Sequence, residues 1–171
     1  MAEANSRVRL VIVARRQLDA DALAALCQAH AEFSVLSATN DIESASVLCG
    51  HRRPDAVLLD AQLLSGSDRH STAWALDPFG DIPILLLDDD INEARLATIL
   101  QVPRIGYFTR RVKFEEIAAG ILRLVRGERA FGPLVEERLQ QTPAGWQLRR
   151  DQPRSPFAIL TPREVEVLRL I

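Results

Sequence analysis

Val8–Arg16 reads VRLVIVARR: an aliphatic run broken only by Arg9, then Ala14 and two adjacent arginines. Six residues of this kind make a buried strand rather than a helix, since the run is short and rich in β-branched side chains. A strand that is apolar on both faces needs cover on both sides, which is the condition of a parallel sheet between two helical layers. The abrupt change at Arg15 and Arg16 marks the carboxyl end of that strand.

The chain repeats this alternation. FSVLSA (33–38), DAVLLD (55–60), IPILLL (82–87) and RIGYFT (104–109) read as further strands, with Pro83 tolerable at a strand entry. Between them lie helical patterns. LDADALAALCQAH (18–30) sets Ala22, Leu23, Leu26, Cys27 and His30 on one face, and DIESASVLCGHRR (41–53) is expected to stop near Gly50. SDRHSTAWALD (67–77) reads as a weak polar helix. INEARLATILQ (91–101) has Asp90 as its expected N-cap, with Glu93 three residues on. FEEIAAGILRLVRG (114–127) buries Ile117, Ile121, Leu124 and Val125, with Gly127 as its C-cap. The expectation is a doubly wound three-layer α/β domain over about residues 7–128, its five parallel strands in the order 2-1-3-4-5.

After residue 128 the texture changes. Residues 129–159 are expected to hold an extra helix and a linker, because 140–159 is rich in Pro, Gln and Arg and lacks a clean period. LTPREVEVLRLI (160–171) then opens a new helix, with Thr161 as N-cap, Pro162 at the first turn and Glu164 completing a capping box. Leu160 and Val165 stand where a hydrophobic staple would close. Val165, Leu168 and Ile171 form an apolar face with nothing after it to pack on, so the chain is expected to be a fragment of a longer protein.

Composition narrows the function. The chain has 171 residues, 47% hydrophobic and 26% charged, with a net charge of −2. That is ordinary globular chemistry and shows no basic nucleic-acid surface at whole-chain level. No apolar run reaches the length of a membrane span, and the N-terminus has no signal-peptide core. Cys27 and Cys49, without CxxC spacing, are expected to be buried reduced thiols. No GxGxxG or GxxxxGK[ST] follows the first strand, so phosphate cradling has no support. His30, His51 and His70 read as structural or solvated, and no catalytic triad order is present.

In an open parallel sheet, ligands bind beyond the carboxyl ends of the strands, at the switch in strand order. Here those ends deliver Ala14, Arg15 and Arg16 from strand 1 and Asp60 from strand 3. Strand 4 delivers Asp88, Asp89 and Asp90, and strand 5 delivers Thr109, Arg110 and Arg111. Acids and arginines converge, and a salt-bridged cluster around Asp60 is expected.

At these positions a resemblance enters. PDAVLLDAQLLSGSD (54–68) resembles the segment around the phosphoacceptor aspartate of response-regulator receiver domains, a flavodoxin-like fold. GYFTRRVKFEEIAAGILRLVRGERAFGPLVEERL (106–139) resembles the end of such a receiver in the NarL/FixJ type, and LTPREVEVLRLI resembles the opening of a LuxR-type helix-turn-helix. The resemblance implies that Asp60 stands at the phosphoacceptor position and that Tyr107 matches the aromatic that changes rotamer on activation. Elsewhere the chain departs from the pattern. A typical receiver carries two Mg²⁺-binding acids after strand 1, and here these are Ala14 and Arg15. It carries Thr or Ser at the end of strand 4, here Asp88, and Lys at the end of strand 5, here Arg110.

Phosphoryl transfer to a carboxylate needs a cation to offset the developing charge. Mg²⁺ needs hard oxygen ligands. Ala14 supplies none, Arg15 supplies a positive charge, and Asp88 adds negative charge where a phosphoryl oxygen needs a donor. Mg²⁺ binding is therefore expected to be lost or weak. Arg15, together with Arg110, is expected to fill the cation's space, with Asp60 and Asp88 neutralised by guanidinium groups. The alternative in the same geometry is an Arg15 turned to solvent, and Arg16 is expected to face solvent.

The functional expectation is an atypical response regulator, not an enzyme. It would be a cytoplasmic transcriptional regulator whose receiver works without Asp phosphorylation, through dimerisation or contact with a protein or ligand. A conventional two-component regulator phosphorylated on Asp60 is the alternative. The resemblance implies homodimerisation, through a helix 1/helix 5 face or a helix 4–strand 5–helix 5 face. It also implies a sensor kinase or other protein partner. DNA contact is expected through a C-terminal part beyond Ile171, so residues 1–171 alone should give no specific gel shift.

Overall fold

The computed structural model describes residues 7–64, 76–143 and 145–149. Its elements are β1 (Val8–Val13), α1 (Gln17–Ala29), β2 (Phe33–Thr39), α2 (Ile42–Arg52) and β3 (Ala56–Asp60). Two 3₁₀ turns, Ala61–Leu63 and Asp77–Phe79, precede β4 (Ile84–Asp88). Then follow α3 (Glu93–Ile99), β5 (Ile105–Thr109), α4 (Phe114–Val125), α5 (Pro133–Glu136), β6 (Leu139–Thr142) and β7 (Gly145–Leu148). The expected polar helix at 67–77 lies outside the described residues except for Leu76 and Asp77.

The main sheet has five strands in the order β2-β1-β3-β4-β5, all parallel. This is the doubly wound arrangement that the apolar runs predict. Every residue of β3, β4 and β5 is buried. Because side chains alternate along a strand, each strand feeds two cores. Val11, Val57, Leu59, Leu86 and Tyr107 face α2, α3 and the C-terminal segment. Leu10, Ile12, Leu58, Leu85 and Phe108 face α1 and α4. Pro83 sits just before β4, where its missing N–H costs nothing and its carbonyl accepts from Val57 N–H at 2.8 Å.

Local chemistry corrects several helix expectations. The buried stripe of α1 is Ala20, Ala24 and Cys27, and Ala22 and Leu26 are exposed. Small side chains at this spacing let the helix lie close on the sheet, so the large residues turn outward. Helix α2 runs through Gly50 and ends where Arg53 adopts φ 46°. Pro54 follows, and a residue before proline is disfavoured from continuing a right-handed helix. The N-cap of α3 is Asn92, which accepts from Arg95 N–H at 2.9 Å, and not Asp90. The Asp90 carboxylate is drawn instead to Arg111 at 2.6 Å. On α4, Val125 is exposed while Ile117, Ile121 and Leu124 are buried. Gly127, at φ 83°, closes that helix, with its N–H on Leu124 O and Glu128 N–H on Arg123 O. This is a Schellman closure, which requires the left-handed backbone that glycine adopts without strain.

The described residues after α4 hold more regular structure than their composition predicts. Of the stretch 140–159 read as linker, Gln140–Thr142 and Gly145–Leu148 belong to an antiparallel hairpin, β6–β7, while 150–159 and the helix expected at 160–171 lie outside the described residues. The segment before it lies along the free edge of β5: Tyr107 N–H donates to Ala130 O at 3.1 Å and Gly132 N–H to Tyr107 O at 3.0 Å. An edge strand with unpaired backbone groups is thereby covered. Phe131, Val135 and Leu139 join the core on that side, and Trp146 meets Phe131 edge-on at 5.5 Å between ring centroids. Arg129 donates to Ile99 O and Leu100 O, satisfying carbonyls at the end of α3. Leu134 stays exposed, while Leu139 is buried.

Cys27 and Cys49 are free and buried, and burial pushes both thiols up to about 11.

Candidate functional site: the carboxyl edge of the sheet

The strands bring Asp60, Asp88, Asp89, Arg110 and the Arg15 backbone to one edge, as the switch-point argument predicts. Asp60 ends β3 and is almost fully buried. Its Oδ2 accepts from Arg110 Nη2 at 2.7 Å and from Arg15 N–H at 3.2 Å. Its Oδ1 accepts from Gln62 N–H at 2.9 Å, closing the 3₁₀ turn that follows the strand. Arg110 also reaches Asp89, Nε to Oδ1, at 3.1 Å. One guanidinium thus spans two carboxylates, using the fork geometry that lysine lacks. Arg110 is held in place partly by its own backbone, since its N–H donates to Asp88 O at 2.8 Å.

The expected role of the Arg15 side chain is not met. Arg15 reaches Asp60 through its backbone N–H, while its side chain is exposed and forms no ion pair among the described residues. The cause is positional. Arg15 begins the turn into α1, and its side chain leaves the sheet edge, whereas Arg110 follows β5 directly and lies across the edge. Arg16 is exposed, as expected, and Ala14 is fully buried in the α1-side core.

Asp88 is neutralised, but by a residue that sequence reasoning passed over. The Arg95 guanidinium pairs with Asp88 Oδ2, and both residues are buried. The same oxygen accepts from the Tyr107 hydroxyl at 2.6 Å. Asp88 Oδ1 accepts from Gln62 Nε2 at 2.7 Å and from Asp89 N–H at 2.9 Å. Burial first, then donation to Asp88, pushes the Tyr107 phenol well above its usual range. The available sequence signal for Arg95 was a cation on the apolar stripe of α3, one residue before Leu96 and four before Ile99. For Gln62 the signal was its place two residues after Asp60, where an aspartate readily closes a turn.

The donor set bears on metal chemistry. Asp60 Oδ2 already carries a guanidinium, Ala14 has no ligand atom, and Arg15 offers the acid only its backbone N–H. Mg²⁺ demands several oxygen ligands in near-octahedral array, and these residues do not supply them. Among the described residues no group of three or more His, Cys, Asp or Glu side chains is placed to hold a metal.

Known proteins resemble this chain in both fold and sequence. No family model matches the chain. Over 77% of its length it superposes on a two-component response regulator of the LuxR family from Aurantimonas, covering 94% of that chain at a TM-score of 0.66 and 20% identity. The fold is that of a receiver domain. By sequence, the chain is 22% identical over 177 residues to the transcriptional regulatory protein DegU of Brevibacillus brevis, spanning 97% of this chain and 75% of that protein. It is 22% identical over 164 residues to the transcriptional regulatory protein LiaR of Bacillus subtilis, spanning 96% and 76%. The homologues of this chain are thus response regulators of the NarL/LuxR family. Among the described residues no helix is long and apolar enough to cross a membrane.

Proposed function

We propose that this chain is a transcriptional response regulator whose receiver domain works without phosphorylation of Asp60. The observation that carries the reading is the Arg110 guanidinium 2.7 Å from Asp60 Oδ2. A fixed cation built from the chain occupies the charge role that a receiver of ordinary pattern gives to Mg²⁺. An in-line attack by Asp60 would have to displace that guanidinium and proceed with no carboxylate at positions 14 and 15. Asp88 also opposes the chemistry, for a buried carboxylate cannot donate to a phosphoryl oxygen. Acetyl phosphate, or beryllofluoride, with millimolar Mg²⁺ should leave Asp60 unmodified by mass spectrometry and the spectrum of the protein unchanged. A stoichiometric adduct on Asp60 would return the chain to the conventional, kinase-driven class.

The partners follow from the same reading. DNA contact is assigned to the C-terminal part, outside the described residues, and a protein or small ligand replaces phosphate as input. Self-association is assigned to α1. The α3–β5 flank is occupied by the chain's own residues 129–149, whereas α1 presents Leu18, 77% exposed, and Leu26, 47% exposed, together with exposed Ala22 and Ala25. Leu18→Asp with Leu26→Asp should convert a dimer to a monomer in light scattering. A wild-type chain that is already monomeric at tens of micromolar would dismiss the dimer.

A further inference from the structure

Asp88 collects donors from four directions. Arg95 comes from the first turn of α3, Tyr107 from β5, Gln62 from the turn after β3, and the Asp89 N–H from the following loop. Each carboxylate oxygen receives two of them, so its accepting capacity is filled. The links continue outward. The Tyr107 hydroxyl accepts from Asn92 N–H at 3.1 Å, and Asn92 is the cap of α3. Gln62 holds Asp88 with its side chain and Asp60 with its backbone. Arg95 Nε is buried without a partner, so on that side the guanidinium is anchored through its contact with Asp88.

The two acids of the edge therefore differ in kind. Asp60 is held by Arg110, which is 28% exposed and shared with the solvent-facing Asp89. Asp88 and Arg95 are 2% and 7% exposed at their side chains. Moving the first turn of α3 away from β5 would leave a carboxylate and a guanidinium buried apart, which costs more than loosening a pair whose guanidinium water already reaches. The stronger constraint on α3 thus lies outside the Asp60 pocket.

We infer that Asp88, Arg95 and Tyr107 form a charge latch that fixes the first turn of α3 against β5 whatever occupies the Asp60 pocket. The phosphate-free reading concerns the chemistry of Asp60; the latch concerns the surface that α3 and β5 present, and it stands or falls separately.

Tyr107 is the only tyrosine among residues 1–171, so fluorotyrosine labelling of this 171-residue chain gives one ¹⁹F resonance that reports on the latch. In the wild type that resonance is single, shows no water/deuterium-oxide shift, and is unmoved by beryllofluoride with Mg²⁺ or by Asp60→Ala. Asp88→Leu with Arg95→Met removes both charges without leaving either unpaired, so the fold survives while the resonance splits or takes on a solvent shift. If the double variant does not fold, Tyr107→Phe carries the test by hydrogen exchange: the amides of the first turn of α3 exchange about tenfold faster, the effect of one lost hydrogen bond to a charged group. A folded double variant with the wild-type resonance, unchanged exchange in Tyr107→Phe, or a wild-type resonance that moves on Asp60→Ala or beryllofluoride would each overturn the latch. A phospho-adduct on Asp60 with an unmoved resonance removes the phosphate-free reading and leaves the latch standing.

Discussion

Arg95→Ala should lower the free energy of unfolding by about 3–5 kcal/mol, the usual cost of removing one partner from a buried ion pair. The cost comes from the carboxylate that is left behind. Asp88 would keep the Tyr107 hydroxyl, the Gln62 amide and the Asp89 N–H, but would lose its cation in a site with almost no solvent access. Three dipoles do not replace a formal charge at low dielectric. Urea titration monitored by far-ultraviolet circular dichroism measures the loss. Arg110→Ala is the comparison: it also takes the cation from a buried carboxylate, Asp60, but Arg110 is 28% exposed, so water can enter the space it leaves and solvate that acid. That variant should cost less than half as much. Equal losses for the two arginines would mean that burial does not distinguish the pairs, and the special place given to Asp88 would be wrong.

Phe131→Ala should cost about 3–5 kcal/mol, the range for truncating a buried phenylalanine. Phe131 is 3% exposed, bridges to Tyr107 along the edge of β5, and packs edge-on against Trp146. Its removal opens a cavity under the hairpin and loosens the cover on the sheet edge. If residues 129–149 were a tether, the change would fall within about 0.5 kcal/mol, as for ordinary surface substitutions. Denaturant unfolding separates the two outcomes, and a small loss would contradict the hairpin's part in the core. The dense contact around Gly106 points the same way. A β-carbon there would stand 2.7 Å from Ala130 O, so the close approach of this segment to β5 depends on glycine.

Sequence and structure agree where the physics is one-dimensional. Short runs apolar on both faces, such as AVLLD and ILLLD, have one stable environment, the middle of a covered parallel sheet. The runs therefore gave the strand order and, through the switch point, the edge on which Asp60, Asp88 and Arg110 meet. The helix faces were less legible. The leucines of α1 suggested a buried stripe, yet the alanines and Cys27 are what face the sheet, because distance to the sheet, not hydrophobicity alone, selects the face. Residues 140–142 and 145–148 misled for a similar reason: their glutamines are exposed on a hairpin whose Leu139, Trp146 and Leu148 pack on the domain.

The sequence by itself determined the sheet, the acids and arginines at its carboxyl edge, and the absence of carboxylates at positions 14 and 15. These follow from composition and period, which every residue carries locally. Only the tertiary structure decided which arginine serves which acid. Arg15, Arg95, Arg110 and Arg111 are chemically alike, and their partners depend on where each backbone aims a long side chain after the sheet has closed. Arg15 is turned outward, Arg110 lies across Asp60, and Arg95 comes down from α3 onto Asp88. That choice depends on a few ångströms set by packing between strands and helices distant in sequence, and no local pattern encodes it.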